Sequence, residues 1–293
     1  MNALDQFAAA IAASGLTVPD TIHADGQIHR WNGTDKRGNT RNSWYCLHLD
    51  GTPAGLFGDW AGLEKRSWCA RHDHDLTDSE RQAMRERNQD AQRQREAERD
   101  RLQAVAASRA LAIWTAAVPA IEHEYLTRKG IEPHGTRTDG HSLFVPMRAA
   151  GRLHSLQTIA PNGDKRFMLE GRVKGCYHAI GKPAGSVTIS EGFATSASIH
   201  EATGCAVAVA FTKDNLVSVA LAVRTKYPGL SITIAGDDDW HTPGNPGLTA
   251  AKKAAVATGA KLIVPNFDGL VRGIKDTDFN DVARLIREQG KAS

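Results

Sequence analysis

SVTISEGFATSASIHEATGCAVAVAF, at residues 186–211, and LSITIAGDDD, at residues 230–239, decide the fold of the C-terminal part of the chain. Both stretches contain short, nearly continuous apolar runs, and each run is followed by a segment of helical composition or by acidic residues. KLIVP at residues 261–265 repeats the pattern before an amphipathic stretch. Continuous apolar strands that alternate with helices are typical of a parallel sheet buried on both faces. We therefore expect an α/β domain at residues 185–293, with a parallel sheet flanked by helices.

Acidic residues follow three of the predicted strands. Glu191 follows the first, three aspartates at 237–239 follow another, and Asp276, Asp278 and Asp281 lie beyond KLIVP. Function gathers at the carboxyl ends of the strands in an open parallel sheet, so we expect these groups to converge. Clustered carboxylates raise one another's pKa unless a cation neutralises them, which favours one or two hard divalent ions. The alternative is that they are ordinary loop residues and helix caps, with Asp278 as the N-cap of the last helix.

Three further segments precede this domain. Residues 1–76 combine a short amphipathic helix with alternating, hairpin-like runs, which predicts a small α+β module. Residues 77–118 begin with a long stretch rich in Arg, Glu, Gln and Ala, which predicts a long helical linker with a solvated charged face. Residues 119–184 contain strand-like pieces separated by turn residues, which predicts a β-rich subdomain.

The composition is that of a globular chain. Of the 293 residues, 41% are hydrophobic and 24% are charged, which is far from the signature of disorder. No run approaches the roughly 20 apolar residues that span a bilayer, and the first residues do not resemble a signal peptide, so we expect no membrane association and a cytoplasmic location. The four cysteines form no C-x-x-C pair, which excludes a disulfide framework and a four-cysteine zinc site. A net charge of +3 does not by itself identify a polyanionic partner.

Two motifs on consecutive α/β units resemble the signature of TOPRIM domains, namely EGFATS at 191–196 and AGDDD at 235–239. More narrowly, EGFATSASIHEATG resembles the EGYATA-type motif of DNA primases from plasmids, satellite phages and other mobile elements. Five further stretches are similar to the same group: LTRKGI (126–131), SLQTI (155–159), KRFMLEGRVKG (165–175), NPGLTAAKKAA (245–255) and TDFND (277–281). The resemblance spans about residues 122–285 and implies a nucleotidyltransferase with a TOPRIM catalytic domain. Such an enzyme makes short primers on single-stranded DNA during mobile-element replication or transfer.

The resemblance also implies a role for each acidic group. Glu191 would be a metal ligand or general acid/base, Asp237 and Asp239 would bind the ion, and these three would be the catalytic residues. Asp278 and Asp281 would complete the metal site. The implied ion is Mg2+, with Mn2+ as an alternative, and two ions can stabilise both the attacking and the leaving oxygen of nucleotidyl transfer. The implied partners are single-stranded DNA template and nucleoside triphosphates. A replicative helicase is a further candidate partner. No P-loop motif occurs in the sequence, so we expect no helicase domain in it.

Basic residues close to the acidic motifs are candidates for contact with nucleotide or nucleic acid. Lys165, Arg166, Arg172 and Lys174 lie in KRFMLEGRVKG, and Lys129 lies in LTRKGI. The alternative for the first four is a basic surface hairpin, and for Lys129 it is a cation that stabilises a helix C-terminus. Neighbours along a strand point to opposite faces, so Lys165 and Arg166 are not expected to contribute equally.

Four of the six tryptophans lie in the first 75 residues, among basic side chains. Aromatic platforms beside cations hold single-stranded nucleic acid, which makes Trp31, Trp44 and Arg41 candidate template contacts. The alternative is that large aromatic side chains fill a small core. Replicative bacterial primases carry a zinc ribbon at this end, but the C-x-H spacing of Cys46 and His48 is not a usual zinc spacing, so zinc is not expected.

Two other functions fit the same residues. A TOPRIM nuclease would use the same carboxylates with water as the nucleophile, and would need divalent metal but no nucleoside triphosphates. A non-catalytic accessory protein that binds single-stranded DNA would carry a vestigial carboxylate site. The intact Glu191, Asp237 and Asp239 argue against the accessory protein.

Overall fold

The computed structural model describes residues 2–33, 42–59, 65–70 and 77–292. The chain divides into two compact units, residues 1–95 and 96–293. Within the described ranges, no helix combines the length and the apolar character needed to cross a membrane.

In the first unit a helix packs on an antiparallel sheet. Helix α1 (Ala3–Ala13) begins with a capping box, in which the Asn2 side chain accepts the Asp5 N–H at 2.8 Å. The sheet has the strand order β1-β2-β3-β4, and its strands are β1 (His29–Trp31), β2 (Ser43–His48), β3 (Ala54–Asp59) and β4 (Arg66–Cys69). Phe7 of α1 meets the rings of Tyr45 and Phe57 edge to face. This apolar contact forms the core of the unit.

Helix α2 (Asp78–Ala116) is the long helix that the sequence predicts. Its charged side chains pair along the helix surface, as between Arg101 and Glu98 at 2.7 Å and between Arg93 and Asp90. Ala110 is fully buried near the C-terminal end of the helix, where it packs with Phe144 and Leu156. The charged face therefore belongs to the earlier turns, and the end of α2 joins the core of the second unit.

The second unit contains an antiparallel sheet with the strand order β5-β6-β7-β8-β9. The strands are β5 (Val118–Pro119), β6 (Arg137–Thr138), β7 (Leu143–Ala149), β8 (Arg152–Ile159) and β9 (Lys165–Phe167). The short helix α3 (Glu124–Lys129) starts at His123, whose Nδ1 accepts the Tyr125 N–H at 3.1 Å. Gly130 ends this helix with a left-handed φ of 62°, which glycine adopts without steric cost.

A second sheet of five strands follows, in the order β10-β12-β11-β13-β14. The strands are β10 (His178–Ile180), β11 (Ser186–Ser190), β12 (Val207–Val209), β13 (Ser231–Ala235) and β14 (Lys261–Ile263). Strands β11, β12, β13 and β14 run parallel to one another, whereas β10 is antiparallel to β12. The flanking helices are α4 (Phe193–Thr203), α5 (Leu216–Lys226), α6 (Pro246–Thr258) and α7 (Phe279–Ala292). The prediction of a parallel sheet flanked by helices is confirmed.

Two features connect the segments at 119–184 and 185–293. Strand β10 falls in the segment expected to be the β-rich subdomain, yet it pairs with β12 of the parallel sheet. The two sheets of the second unit also share one hydrophobic core, in which Val145 and Ile159 pack with Phe193 and Val207. The segments at 119–184 and 185–293 therefore pack against each other through their apolar faces.

Candidate active site

Two acidic residues lie at the carboxyl edge of the parallel sheet. Strands β11 and β13 are adjacent and in register, with Ser190 opposite Ala235. Glu191 directly follows β11 and Asp237 follows β13 by one residue, so the register places both at the same edge. Burial raises the pKa of Glu191, the backbone N–H of Lys213 opposes this by donating to the carboxylate, and the charge of Asp239 raises the pKa further.

Asp237 is the most strongly perturbed carboxylate at this edge. Burial, followed by the charges of Asp278, Glu191 and Asp239, raises its pKa to about 8, against the opposing effect of Lys165. Its Oδ1 atom is buried and has no hydrogen-bond partner among the described residues. An unsatisfied buried carboxylate oxygen costs free energy, and the charge of Lys165 only partly offsets the repulsion among the carboxylates.

The start of α6 holds Asp239 in place. The Asp239 N–H donates to Oδ1 of Asn245 at 2.9 Å, and Oδ2 of Asp239 accepts the Gly247 N–H at 2.8 Å. A Cβ atom at position 247 would lie 2.8 Å from Oδ2 of Asp239 and 2.9 Å from the carbonyl oxygen of Asp237. Glycine is therefore required at 247 for the backbone of α6 to approach the aspartate motif.

The middle aspartate has a different environment from its two neighbours. Oδ2 of Asp238 accepts a hydrogen bond from Arg272 at 2.9 Å, and Oδ1 accepts one from Nδ2 of Asn245 at 2.7 Å. Both oxygens are thus committed to protein partners. This geometry assigns Asp238 to the structure of the loop, while Asp237 and Asp239 stand on either side of it.

Asp278 and Asp281 form a capping box at the start of α7. Oδ1 of Asp278 accepts the Asp281 N–H at 3.0 Å, and Oδ2 of Asp281 accepts the N–H groups of Thr277 at 2.9 Å and Asp278 at 3.2 Å. The N-cap interpretation of Asp278 therefore describes its local role. Asp278 nevertheless contributes to the raised pKa values of Asp237 and Asp281, which places its charge near the carboxylate edge.

The remaining acidic candidate, Asp276, is tied to its own loop and to α7. Its Oδ1 accepts a hydrogen bond from Arg284 at 2.6 Å and its Oδ2 accepts the Gly273 N–H at 2.7 Å. Across the described ranges, no three His, Cys, Asp or Glu side chains are arranged closely enough to form a ready-made metal site.

Lys165 is the basic candidate that the structure brings to the carboxylates. It lies opposite Ile159 in the β8–β9 pair, and Ile159 faces the core. Desolvation lowers the pKa of Lys165 although the side chain keeps solvent contact, and the charges of Asp278, Glu191 and Asp237 raise it. Its Nζ atom lies 5.7 Å from the ring centroid of Tyr125, within cation–π range.

The other basic candidates occupy different places. Arg166 is exposed and follows Lys165 on β9, so it points to the opposite face of the strand. Arg172 folds back on its own loop, where its Nε donates to the carbonyl oxygen of Lys174 at 3.0 Å, and Lys174 is exposed. Lys129 ends α3, as expected for a cation at a helix C-terminus, and its charge also lowers the pKa of Asp281.

Two residues near the site were not predicted from the sequence. Lys213 lies in the segment beyond β12, and its backbone N–H and its charge both lower the pKa of Glu191. Its place after an apolar run could have identified it. Tyr125 is buried, its hydroxyl has no hydrogen-bond partner among the described residues, and burial raises its pKa to about 12. No local pattern distinguishes Tyr125, because its position depends on the packing of α3 against the rest of the unit.

In the first unit, the tryptophans have two kinds of environment. Trp31 donates its Nε1–H to the carbonyl oxygen of Thr17 at 2.7 Å and, like Trp68, packs against the hydrophobic core. Trp44 is half-buried on the other face of β2 from Tyr45, and it lies opposite Arg30 of β1.

The remaining candidates of the first unit are Cys46, His48 and Arg41. Cys46 contacts His48 at 3.7 Å but also donates to the carbonyl oxygen of Gly26. Arg41 lies outside the described residues.

Comparison with known proteins finds a known domain in the C-terminal part of the chain. Residues 186–291 match the family model described as "Toprim domain". Two curated relatives, both DNA primase TraC from Escherichia coli, are 35% identical over 281 residues and 33% identical over 287 residues. These alignments cover 90% and 91% of this chain but only 26% and 20% of the relatives, so the chain spans about a quarter or less of their length.

A solved structure gives a weaker match. One chain from the structure of bacteriophage T7 lagging-strand DNA polymerase with primase domains bound to an RNA/DNA hybrid has 16% sequence identity and a TM-score of 0.36. The match covers 58% of this chain and 87% of that chain, and similarity at this level does not establish a common fold. The resemblance to TOPRIM-domain DNA primases inferred from the motifs is confirmed by the family model and the two relatives. The chain thus carries a TOPRIM domain at residues 186–291 and is related over most of its length to part of DNA primase TraC.

Proposed function

We propose that this chain is the catalytic part of a DNA primase, which makes short primers on single-stranded DNA by metal-dependent, template-directed nucleotidyl transfer. The observation that carries the proposal is the crowding of buried carboxylates at the carboxyl edge of the parallel sheet. Glu191, Asp237 and Asp239 act on one another's electrostatics there, and the pKa of Asp237 is raised to about 8. The similarity to DNA primase TraC supports primer synthesis as the reaction.

The residues at this edge suit a hard divalent cation. Oδ1 of Asp237 is buried without a partner among the described residues, and a cation would satisfy it. Carboxylate oxygens are the ligands that Mg2+ and Mn2+ prefer. We assign Glu191, Asp237 and Asp239 as the principal ligands, with Asp278 and Asp281 supporting the site from the start of α7. When bound, the ion would neutralise charge on the attacking and leaving oxygens.

The side chains around the carboxylates provide the other parts of the chemistry. Glu191 has a raised pKa, which makes it better suited to accept the proton of an attacking 3′-hydroxyl. Lys165 carries a positive charge beside three carboxylates, where it would contact the triphosphate of the incoming nucleotide. The charge of Lys213 acts on Glu191, and Lys213 would assist Lys165 in contacting the triphosphate. The other basic candidates would not contact the triphosphate. They would contact the nucleic acid backbone, and they are Lys129, Arg166, Arg172 and Lys174.

The template contact proposed for the first unit falls on the face of the sheet that carries Trp44. Arg30 lies opposite Trp44 in the β1–β2 pair, so an aromatic side chain and a cation are neighbours on this face. Such a pair supports base stacking and phosphate attraction. Trp31 packs on the core and contributes less, whereas Arg41 stays a candidate. The partners in this proposal are single-stranded DNA, nucleoside triphosphates and a replicative helicase.

One experiment separates the proposed function from its rivals. The full chain is incubated with circular single-stranded DNA, Mg2+ and all four ribonucleoside or deoxyribonucleoside triphosphates, and products are resolved by size. A primase gives short products only when triphosphates are present, and Asp237→Asn abolishes them. Cutting of the circle by metal alone would identify a nuclease, and binding without either product would identify an accessory protein. Either of the last two results would contradict the proposal.

A further inference from the structure

Arg272 joins the two loops that carry the acidic residues of the site. It lies between β14 and α7 and reaches the loop after β13, where its Nη1 donates to Oδ2 of Asp238 at 2.9 Å and its Nη2 donates to the Asp238 carbonyl oxygen at 2.9 Å. Its Nε donates to the carbonyl oxygen of Asp276 at 2.9 Å. One guanidinium group therefore connects the aspartate motif with the segment that leads into Asp278.

Aromatic rings hold this guanidinium in a single orientation. Its central carbon lies 4.9 Å from the ring centroid of Trp240 and 4.0 Å from that of Phe267. Both distances are within cation–π range, and planar stacking is a property of arginine that lysine does not share. The Asp238 N–H also donates to the carbonyl oxygen of Thr277 at 2.8 Å, which adds a second link between the two loops.

The hydrogen bonds continue from Asp238 to Asp239. Oδ1 of Asp238 accepts Nδ2 of Asn245 at 2.7 Å, and Oδ1 of the same asparagine accepts the Asp239 N–H at 2.9 Å. Asn245 has a left-handed φ of 40°, a conformation that asparagine tolerates better than most residues. An unbroken chain of polar contacts thus leads from Arg272, through Asp238 and Asn245, to the backbone of Asp239.

We propose that Arg272 and Asp238 are positioning residues, which orient Asp237 and Asp239 for cation binding without contacting the cation. This inference rests on the metal site of the proposed function. The ion pair also neutralises the middle aspartate, which would otherwise add a further negative charge to the crowded edge. Groups that orient metal ligands through hydrogen bonds commonly contribute about 10- to 100-fold to metal affinity.

The test measures cation binding directly. The full chain is titrated with Mn2+, and free Mn2+ is followed by electron paramagnetic resonance. Arg272→Ala and Asp238→Ala are each expected to raise the dissociation constant about 10- to 100-fold, and the double variant should lose little more than either single variant. Arg272→Lys should restore affinity only in part, because an ammonium group cannot serve Asp238 and Asp276 in the same planar geometry.

Arg224 provides a matched control. It donates to the carbonyl oxygens of Pro228, Leu230 and Thr258, so it is also an arginine with three backbone acceptors in this unit, and it lies at the end of α5. Arg224→Ala should lower the thermal unfolding temperature and leave the Mn2+ dissociation constant unchanged. If Arg272→Ala fails to fold, Asp238→Asn, which keeps the shape of the side chain, tests the same ion pair.

Each outcome separates this inference from the proposed function. Folded variants at Arg272 and Asp238 with dissociation constants within twofold of the unsubstituted chain would overturn the positioning role, even if primers are made. A chain that binds Mn2+ in the expected Arg272-dependent way but makes no primers would contradict the proposed function alone. An unsubstituted chain that binds no Mn2+ at millimolar concentrations would contradict both.

Discussion

Lys165 and Asp237 lie close enough for each to change the pKa of the other, although one belongs to the edge of the antiparallel sheet and the other follows β13 of the parallel sheet. This electrostatic coupling connects the two sheets of the second unit at the site. Arg166 does not share this position, because neighbouring side chains along β9 point to opposite faces of the strand.

We therefore expect the two neighbouring cations to differ in primer synthesis. Lys165→Ala should raise the nucleotide concentration for half-maximal synthesis about tenfold, because a charge-assisted contact with the triphosphate is lost. Arg166→Ala should change it less than about threefold, and should instead make template binding less dependent on salt. Steady-state kinetics and binding at several salt concentrations measure both effects. Equal losses in the two variants would contradict the assigned faces.

The raised pKa of Asp237 predicts how the metal-free protein responds to pH. The folded value of about 8 lies above the reference value of 3.8, so the folded state retains a proton that the unfolded state loses. Stability is consequently lost as pH rises from about 4 to 8. Asp237→Asn should abolish this loss, so in EDTA the variant should unfold at least about 3 °C above the unsubstituted chain at pH 8 and show a smaller difference at pH 5. Thermal unfolding measures this, and a difference that shrinks towards pH 8 would contradict the charge crowding.

We expect a side chain at position 247 to weaken metal binding while leaving most of the fold intact. A Cβ atom there would collide with Oδ2 of Asp239 and with the carbonyl oxygen of Asp237. Gly247→Ala should therefore weaken Mn2+ binding about tenfold or more by displacing these groups. Gly229→Ala is a matched control, since a Cβ atom at position 229 meets nothing within 4 Å. Equal Mn2+ affinity in the two variants would show that the start of α6 does not position the aspartates.

We expect Trp44 and Trp68 of the first unit to have different roles, in DNA binding and in stability respectively. Trp44→Ala should weaken binding of a single-stranded oligonucleotide by the full chain about tenfold, because base stacking contributes about 1–3 kcal/mol. Trp68 packs its ring 5.3 Å from that of Phe7, so Trp68→Ala should chiefly lower the free energy of unfolding, by up to about 3 kcal/mol. Fluorescence anisotropy and urea unfolding measure the two quantities. Unchanged DNA affinity in Trp44→Ala would leave this tryptophan a structural role only.

The sequence determined which segments become strands and helices of the TOPRIM domain, because apolar periodicity is a local property. The apolar runs SVTIS and LSITIA form β11 and β13. The acidic residues that follow these strands could be identified from their place in the sequence. The sequence also indicates the capping role of Asp278, because a capping box involves residues only three positions apart.

Only the tertiary structure decided how distant residues share the site. Asp238 is paired with Arg272, the charge of Lys165 acts on the pKa of Asp237, and β10 joins the parallel sheet. These outcomes depend on which strands pair and which faces cover each other. Strand pairing and side-chain burial are set by contacts between remote segments, so no local pattern of residues specifies them.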